Sequence, residues 1–214
     1  MLTTQTFCFN PFQENTYVLS DANGDCVIID PGCYSKDEQS ELVDFISSHR
    51  LKPIAVWLTH CHIDHILGLR FCEKQWGLPY FLSAGEIPQL KAVEVYAPNY
   101  GFYDVELPTA DGIVILQNEI MLGENRFEVL SVPGHSPDHL AFYHPASHQI
   151  WSGDVLFHLS IGRTDLPGGD FETLKHSIQT KLYSLPEQTT VFPGHGQETT
   201  IGFEKTANSF VRVN

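Results

Sequence analysis

The stretch Thr59-His60-Cys61-His62-Ile63-Asp64-His65 packs three imidazoles and a carboxylate into six consecutive positions, directly after the apolar run Ile54-Ala55-Val56-Trp57-Leu58. Neutral imidazole nitrogen and carboxylate oxygen are the ligands that Zn²⁺ and its neighbours accept, so this density points to metal. In an extended segment alternate side chains share a face, which sends His60, His62 and Asp64 one way and Cys61 and Ile63 the other. If the chain turns into a helix at Asp64 and His65, the last histidine swings off that face. One short loop then addresses two adjacent metal positions. Cys61, on the opposite face, reads as a small packed side chain rather than a ligand.

Three later segments repeat the arrangement. Phe127-Glu-Val-Leu-Ser-Val132 leads through Pro133-Gly134 to His135, Gln149-Ile-Trp-Ser152 through Gly153 to Asp154, and Thr189-Thr-Val-Phe192 through Pro193-Gly194 to His195. Each is a predicted strand ending in a turn that carries a candidate ligand. Ligands at the ends of neighbouring strands can converge on one edge of a sheet. A glycine beside each later ligand lets backbones approach with no Cβ in the way.

With these four segments the chain resembles the metallo-β-lactamase superfamily, whose signature His-x-His-x-Asp-His is followed in order by a lone His, an Asp and a last His. All seven positions are filled. The resemblance implies one metal on His60, His62 and His135, a second on Asp64, His65 and His195, and Asp154 bridging them. It also implies an α+β fold, a four-layered αββα sandwich with the dinuclear site on one edge, as one domain over residues 1–214. The stretch Gly153-Asp154-Val155-Leu156-Phe157, followed by residues 160–170 (SIGRTDLPGGD), is similar to the glyoxalase II (hydroxyacylglutathione hydrolase) branch, in its short bacterial form. Within this resemblance, Asp154 argues against the true β-lactamases, which look different at that bridging position, and His62 against the flavodiiron proteins, which carry Glu there.

Composition fits a soluble enzyme: 214 residues with 42% hydrophobic content suffice for one domain with a sizeable core. No linker, low-complexity segment or repeat divides the chain. A formal net charge of −14, with twelve Lys and Arg spread without a cluster, disfavours nucleic acid as a partner. Residues 1–20 lack the basic start and continuous apolar core of a signal peptide, and no stretch is long enough to span a bilayer. Five cysteines (Cys8, Cys26, Cys33, Cys61, Cys72) without metal-finger spacing fit reduced thiols in the cytoplasm. Oligomeric state leaves no trace in the sequence.

The expected elements are strands near 2–9, 14–20, 26–30, 54–58, 112–117, 119–122, 126–132, 139–144, 149–152 and 189–192. Helices are expected near 36–49, 65–75 and 170–184. Ser35-x-x-Glu38 is a capping-box match, and Asp170 can cap the last helix. Histidines 49, 139, 144, 148, 158 and 176 fall outside the signature, with surface or supporting roles as the default. His158, four residues after Asp154, is the one placed to meet substrate.

The function implied is metal-dependent hydrolysis of a small thioester such as S-lactoylglutathione, by a hydroxide bridging two divalent ions. Zinc comes first as the ion, with iron or manganese also suited to these ligands. Asp64 would both ligate and orient the nucleophile. No Gly-x-Ser-x-Gly elbow or Walker loop offers another chemistry. A thiolate, with a conjugate acid near pKa 8.5 on the scale of about that of cysteine, leaves without a strong general acid, which suits thioesters. Lactones and activated esters suit the same metals. The resemblance places Arg163 against a glutathione carboxylate, while a salt bridge to Asp165 or Asp170 is the competing role. The longer glyoxalase II enzymes carry a tyrosine where Asp165 stands and a helical C-terminal extension, whereas 19 residues follow His195 here. Two other functions stay open: an iron-dependent persulfide dioxygenase using His60, His135 and Asp154, and a non-catalytic metal-stabilised binding module.

Overall fold

The structure is a computed structural model that describes residues 2–109, 112–115 and 118–212. Strands β1 (Thr3–Phe9), β2 (Glu14–Ser20) and β3 (Asp25–Ile29) form an antiparallel meander. Helix α1 (Lys36–Ser48) then crosses to β4 (Lys52–Trp57), which pairs parallel to β3. Helices α2 (Ile63–Ile66) and α3 (Leu69–Trp76) lead to β5 (Tyr80–Leu82), and α4 (Ile87–Tyr96) precedes β6 (Ile113–Ile115). The six strands make one sheet in the order β1-β2-β3-β4-β5-β6.

The second half supplies β7 (Glu119–Leu122), β8 (Asn125–Ser131), β9 (Leu140–His144), β10 (Gln149–Gly153) and the small hairpin β11 (Leu156–Phe157) and β12 (Ser160–Ile161). Helix α5 (Phe171–Ser177), β13 (Thr190–Pro193), β14 (Thr199–Thr200) and α6 (Ile201–Ala207) complete it. The second sheet runs β14-β13-β10-β9-β8-β7, with β10 and β13 its parallel pair.

Three apolar cores define four layers. Between the sheets, Tyr17, Leu19, Ile29 and Trp57 meet Phe127, Phe142, Trp151 and Phe192. The opposite face of the first sheet, with Val18, Ile28 and Val56, packs on Leu42 and Ile46 of α1 and Leu90 of α4. The outer face of the second sheet, with Ala141, Tyr143 and Ile150, packs on Leu174, Ile178 and Ile201. A strand between two such layers must be apolar on both faces, and all seven residues of β2 are buried. The expected αββα sandwich is therefore the observed fold. No helix of the described residues is long and apolar enough to cross a membrane.

Most element boundaries fall within two residues of expectation. Helix α1 carries the predicted capping box, in which Ser35 accepts from the Glu38 N–H and the Glu38 side chain accepts from the Ser35 N–H. The helix expected over 65–75 is broken into α2 and α3 at Leu67-Gly68. There the Gly68 N–H donates to the Pro31 carbonyl at 2.7 Å, and a Cβ would fall 2.4 Å from Cys33 Sγ. The helix expected to Ser184 ends as α5 at Ser177 and widens into a π turn over Ile178–Leu182. Of the strand expected near 112–117, residues 116 and 117 lie outside the described residues. Strand β5, helix α4 and the β11–β12 hairpin carry no expectation from sequence.

Candidate metal centre

The loops after β4, β8, β10 and β13 meet at one edge of the sandwich and bring all seven sequence-predicted ligands together. Helix α2 begins at Ile63, one residue before the two groups it redirects. The loop thus divides between His62 and Asp64: His60 and His62 face one position, Asp64 and His65 the next.

At the first position His62 Nδ1 lies 3.1 Å from His60 Nε2 and 2.8 Å from His135 Nε2. At the second, Asp64 Oδ2 lies 3.1 Å from His195 Nε2 and 3.7 Å from His65 Nε2. Asp154 sits between the two. Its Oδ2 is 3.5 Å from both His135 Nε2 and His195 Nε2, and its Oδ1 is 3.4 Å from His65 Nε2.

Hydrogen bonds behind the cluster set which ring nitrogen carries the proton. His135 Nδ1 faces the Arg163 carbonyl at 2.8 Å and His195 Nδ1 faces the Phe12 carbonyl at 3.1 Å; a carbonyl only accepts, so both nitrogens are protonated. His65 Nδ1 donates to Asp30 Oδ2 at 3.1 Å. The Thr59 hydroxyl gives its proton to Asp30 Oδ2 at 2.6 Å and so accepts from His60 Nδ1 at 3.0 Å. Each of these four rings therefore aims a bare Nε2 lone pair inward, the state a metal ligand requires.

A proton on His62 Nδ1 can satisfy one of its two neighbouring nitrogens but not both, whereas a cation among the three satisfies all of them, and carboxylates buried here need the same partner. His65 Nε2 and Asp154 Oδ1 are buried without a hydrogen-bond partner among the described residues. Burial and the neighbouring imidazoles, His135 foremost, lower His62 to about 4. Burial opposes a charge on His65 as well, yet the Asp154 and Asp64 carboxylates hold its pKa well above the ordinary value, so a proton and an ion compete for the same Nε2 lone pair. The cluster holds a place for positive charge. Two groups of three ligand atoms, His60/His62/His135 and Asp64/His65/His195, are each compact enough to hold an ion. Asp30 with His60 and His65 makes a third such group, but the Asp30 oxygens are occupied by the Thr59 N–H, the Thr59 hydroxyl and His65 Nδ1.

Glycines make the convergence possible. A Cβ on Gly194 would lie 2.1 Å from Asp154 Oδ1, and one on Gly153, whose φ is +49°, would lie 2.4 Å from Thr59 Oγ1.

A cleft of about 700 Å³ opens over the cluster. Phe12, Tyr96, Tyr100, Phe157, Ile161 and Leu166 give it apolar walls, while Asp64, Asp154 and His195 reach its floor. Arg163 stands at its rim, with its guanidinium paired in two contacts of 2.7 Å to Asp165; Asp170 instead caps α5. His158 does not line the cleft. Its ring stacks on Phe203 at 5.1 Å and its Nδ1 lies 3.7 Å from Glu204. Cys61 is buried within the apolar core on the outer face of the first sheet.

Sequence reading passed over several supporting residues and gave His139 a surface or supporting role only by default. Asp30 directly follows β3 and precedes Pro31-Gly32, the same strand-then-turn signal as the later ligands. His139 is fully buried, stacks on His60 at 4.6 Å and accepts the Asp154 N–H at Nε2. Asn15 of β2 donates to the Pro193 and Gly196 carbonyls and so fixes the His195 turn. Glu86 joins two of the ligand loops. Neither Asn15 nor Glu86 sits in a recognisable pattern, because its partners are distant in sequence.

Residues 9–195 match the family model of the metallo-beta-lactamase superfamily. The chain is 37% identical over 202 residues to the probable metallo-hydrolase YqgX of Bacillus subtilis (strain 168), covering 94% of this chain and 93% of that protein. It is 35% identical to the hydroxyacylglutathione hydrolase GloC of Haemophilus influenzae, again over 94% and 93% of the two chains. Among solved structures, the BLEG-1 B3 metallo-beta-lactamase matches with a TM-score of 0.87 at 35% identity, over 98% of this chain and 99% of that one. TTHA1623 in a di-iron-bound form matches with a TM-score of 0.85 at 37% identity, over 96% and 99%.

Proposed function

The chain belongs to the metallo-beta-lactamase superfamily, and on that premise we propose that it is a dinuclear metal-dependent hydrolase of small thioesters, S-lactoylglutathione among them. The observation that carries this reading is the position of Asp154, whose two oxygens lie within 3.5 Å of ligand nitrogens from both groups of three. His60, His62 and His135 would hold one ion and Asp64, His65 and His195 the other, with Asp154 within reach of both groups. Zinc is the proposed ion; the iron-bound relative makes iron its competitor.

Bound there, a pair of divalent ions supplies Lewis acidity to a carbonyl oxygen and lowers the pKa of water from about 15.7 to about 7. The protein's own groups do the rest. Asp64, with its side chain part open to the cleft, orients the attacking water and receives its proton. Phe12, Tyr96 and Phe157 narrow the approach and displace bulk water. Burial, then the Asp64 carboxylate, pushes the Tyr96 hydroxyl well above the ordinary tyrosine range, so it stays protonated and serves the cleft as a neutral donor. A thiolate with a conjugate acid near pKa 8.5, on the scale of about that of cysteine, leaves without a dedicated acid. Arg163 is the proposed contact for a carboxylate of the thiol carrier, reached once its fork opens from Asp165. The relative named hydroxyacylglutathione hydrolase supports this substrate class. Four buried free cysteines fit a reducing compartment such as the cytoplasm.

The test combines metal analysis with two assays on the same preparation. Two ions per chain and hydrolysis of S-lactoylglutathione are expected. One iron per chain, with oxygen uptake on glutathione persulfide and no hydrolysis, would replace this reading with the dioxygenase.

A further inference from the structure

Glu86 is a carboxylate with no exposed surface, at the end of the turn Ala84–Glu86 that leads into α4. Its Oε2 accepts the Cys61 N–H at 2.9 Å, and Cys61 is the residue between His60 and His62. Its Oε1 accepts the Ser136 hydroxyl at 2.7 Å and the Asp138 N–H at 3.0 Å, on the loop that carries His135. The same turn is tied to that loop a second time, through Gly85 N–H to Asp138 Oδ2 at 2.9 Å and Ser83 Oγ to the Asp138 carbonyl at 2.6 Å. One buried side chain thus joins the two loops that supply all three nitrogens of the first triad, and it touches neither loop of the second beyond the shared motif.

We propose that Glu86 is the positioning residue of the first metal site, a clasp that holds the His60/His62 loop and the His135 loop at ligand spacing and sets the cleft wall of α4 against them. Burial of a carboxylate is costly, and here three donors converge on it, so both oxygens act as acceptors. None of the three donors is a charged side chain, which excludes a simple ion pair. Helix α4 begins at the next residue and places Gln89, Ala92 and Tyr96 in the cleft. The clasp therefore links the substrate wall to the nitrogens beneath it.

Glu86→Gln keeps the size of the side chain and replaces one acceptor by an amide donor. That donor must face either the Cys61 N–H or the Ser136 and Asp138 donors. Partners behind metal ligands are worth about 10- to 100-fold in metal affinity, and a loss in this range is expected at one site only. The inference rests on the dinuclear reading above: wild-type protein that binds no ions would defeat that reading, whereas intact wild-type binding with no change in the variant defeats this one. The measurement is metal affinity by competition with a chromophoric chelator, for wild type, Glu86→Gln, His135→Ala and the double variant. If Glu86 acts through the first triad, the double variant binds no more weakly than His135→Ala alone. Additive losses, or equal weakening of both ions, would mean a general structural role and overturn the proposal. Should Glu86→Gln fail to fold, Ser136→Ala removes one of the three donors; a loss of about two- to fivefold at the first site is expected from partial removal of such a partner, and unchanged affinity overturns the proposal.

Discussion

Four imidazoles in the cluster owe their inward lone pairs to oxygen acceptors: the neighbouring Thr59 hydroxyl for His60 and, from other segments, Asp30 for His65 and the carbonyls of Arg163 and Phe12 for His135 and His195. Asp154 is the side chain that both groups of ligands share. Asp154→Ala should therefore remove at least one ion and reduce turnover by more than about 100-fold, beyond the upper end seen for partners that only support a ligand. Near-normal hydrolysis with two ions retained would contradict the bridging role. Arg163 has two separable parts. Its carbonyl orients His135 and survives any side-chain change, so Arg163→Ala isolates the guanidinium. The KM for S-lactoylglutathione should rise about three- to tenfold, as for a partly screened charge contact, with the KM for an uncharged thiol's thioester unchanged. An unchanged KM for both would remove Arg163 from recognition. The seven ligand positions were legible in sequence because each follows an apolar strand and a turn within a few residues. Glu86 and Asn15 were not, since each acts through contacts with segments far along the chain, and for the same reason His139 could be given no more than a default surface or supporting role.

At the level of elements, the site depends on how closely four strand-end turns can approach. Gly153 adopts φ of +49° directly before Asp154, and a Cβ there would meet Thr59 Oγ1 at 2.4 Å and His139 Cε1 at 2.8 Å. Gly153→Ala should cost about 2–5 kcal/mol, the sum of left-handed backbone strain and overpacking in a tight interior. Because Thr59 also holds His60 Nδ1, the same change should weaken metal binding along with the thermal transition. A variant as stable as wild type would show that the turn has room it does not display. Helix α1 was readable because Ser35 and Glu38 form a local capping box ahead of the buried residues Leu42 and Ile46. The break between α2 and α3 was hidden, because it is dictated by Pro31 and Cys33 of the preceding loop rather than by a proline or cap nearby. Strand β5 has three residues and β11 and β12 two each, too short for any period to register. Helix α4 hides its face in another way, with Val93 buried and Val95 left 83% exposed.

Over the whole molecule, every proposed ion joins the two halves of the sandwich. The first takes His60 and His62 from the half built on the first sheet and His135 from the second; the other takes Asp64 and His65 from the first and His195 from the second. Aromatic packing between the sheets, such as Trp57 on Phe127 at 5.0 Å, holds them together without metal. Removing the ions should therefore loosen the edge that carries the site while leaving the layers intact. Chelation should preserve the far-ultraviolet dichroism at room temperature but lower the melting temperature. With free metal at about 100 to 1,000 times its dissociation constant, each ion contributes roughly 2.7–4.1 kcal/mol to the folded state. For a chain of this size that corresponds to roughly 5–16 °C per ion. The loss should be larger at low ionic strength, because the ions offset the Asp64 and Asp154 carboxylates in a molecule of net charge −14 and are therefore bound more tightly there. Calorimetry of the chelated and reloaded protein at two salt concentrations decides the matter: equal melting temperatures, with metal removal verified, would mean that the halves do not depend on a shared cation pair.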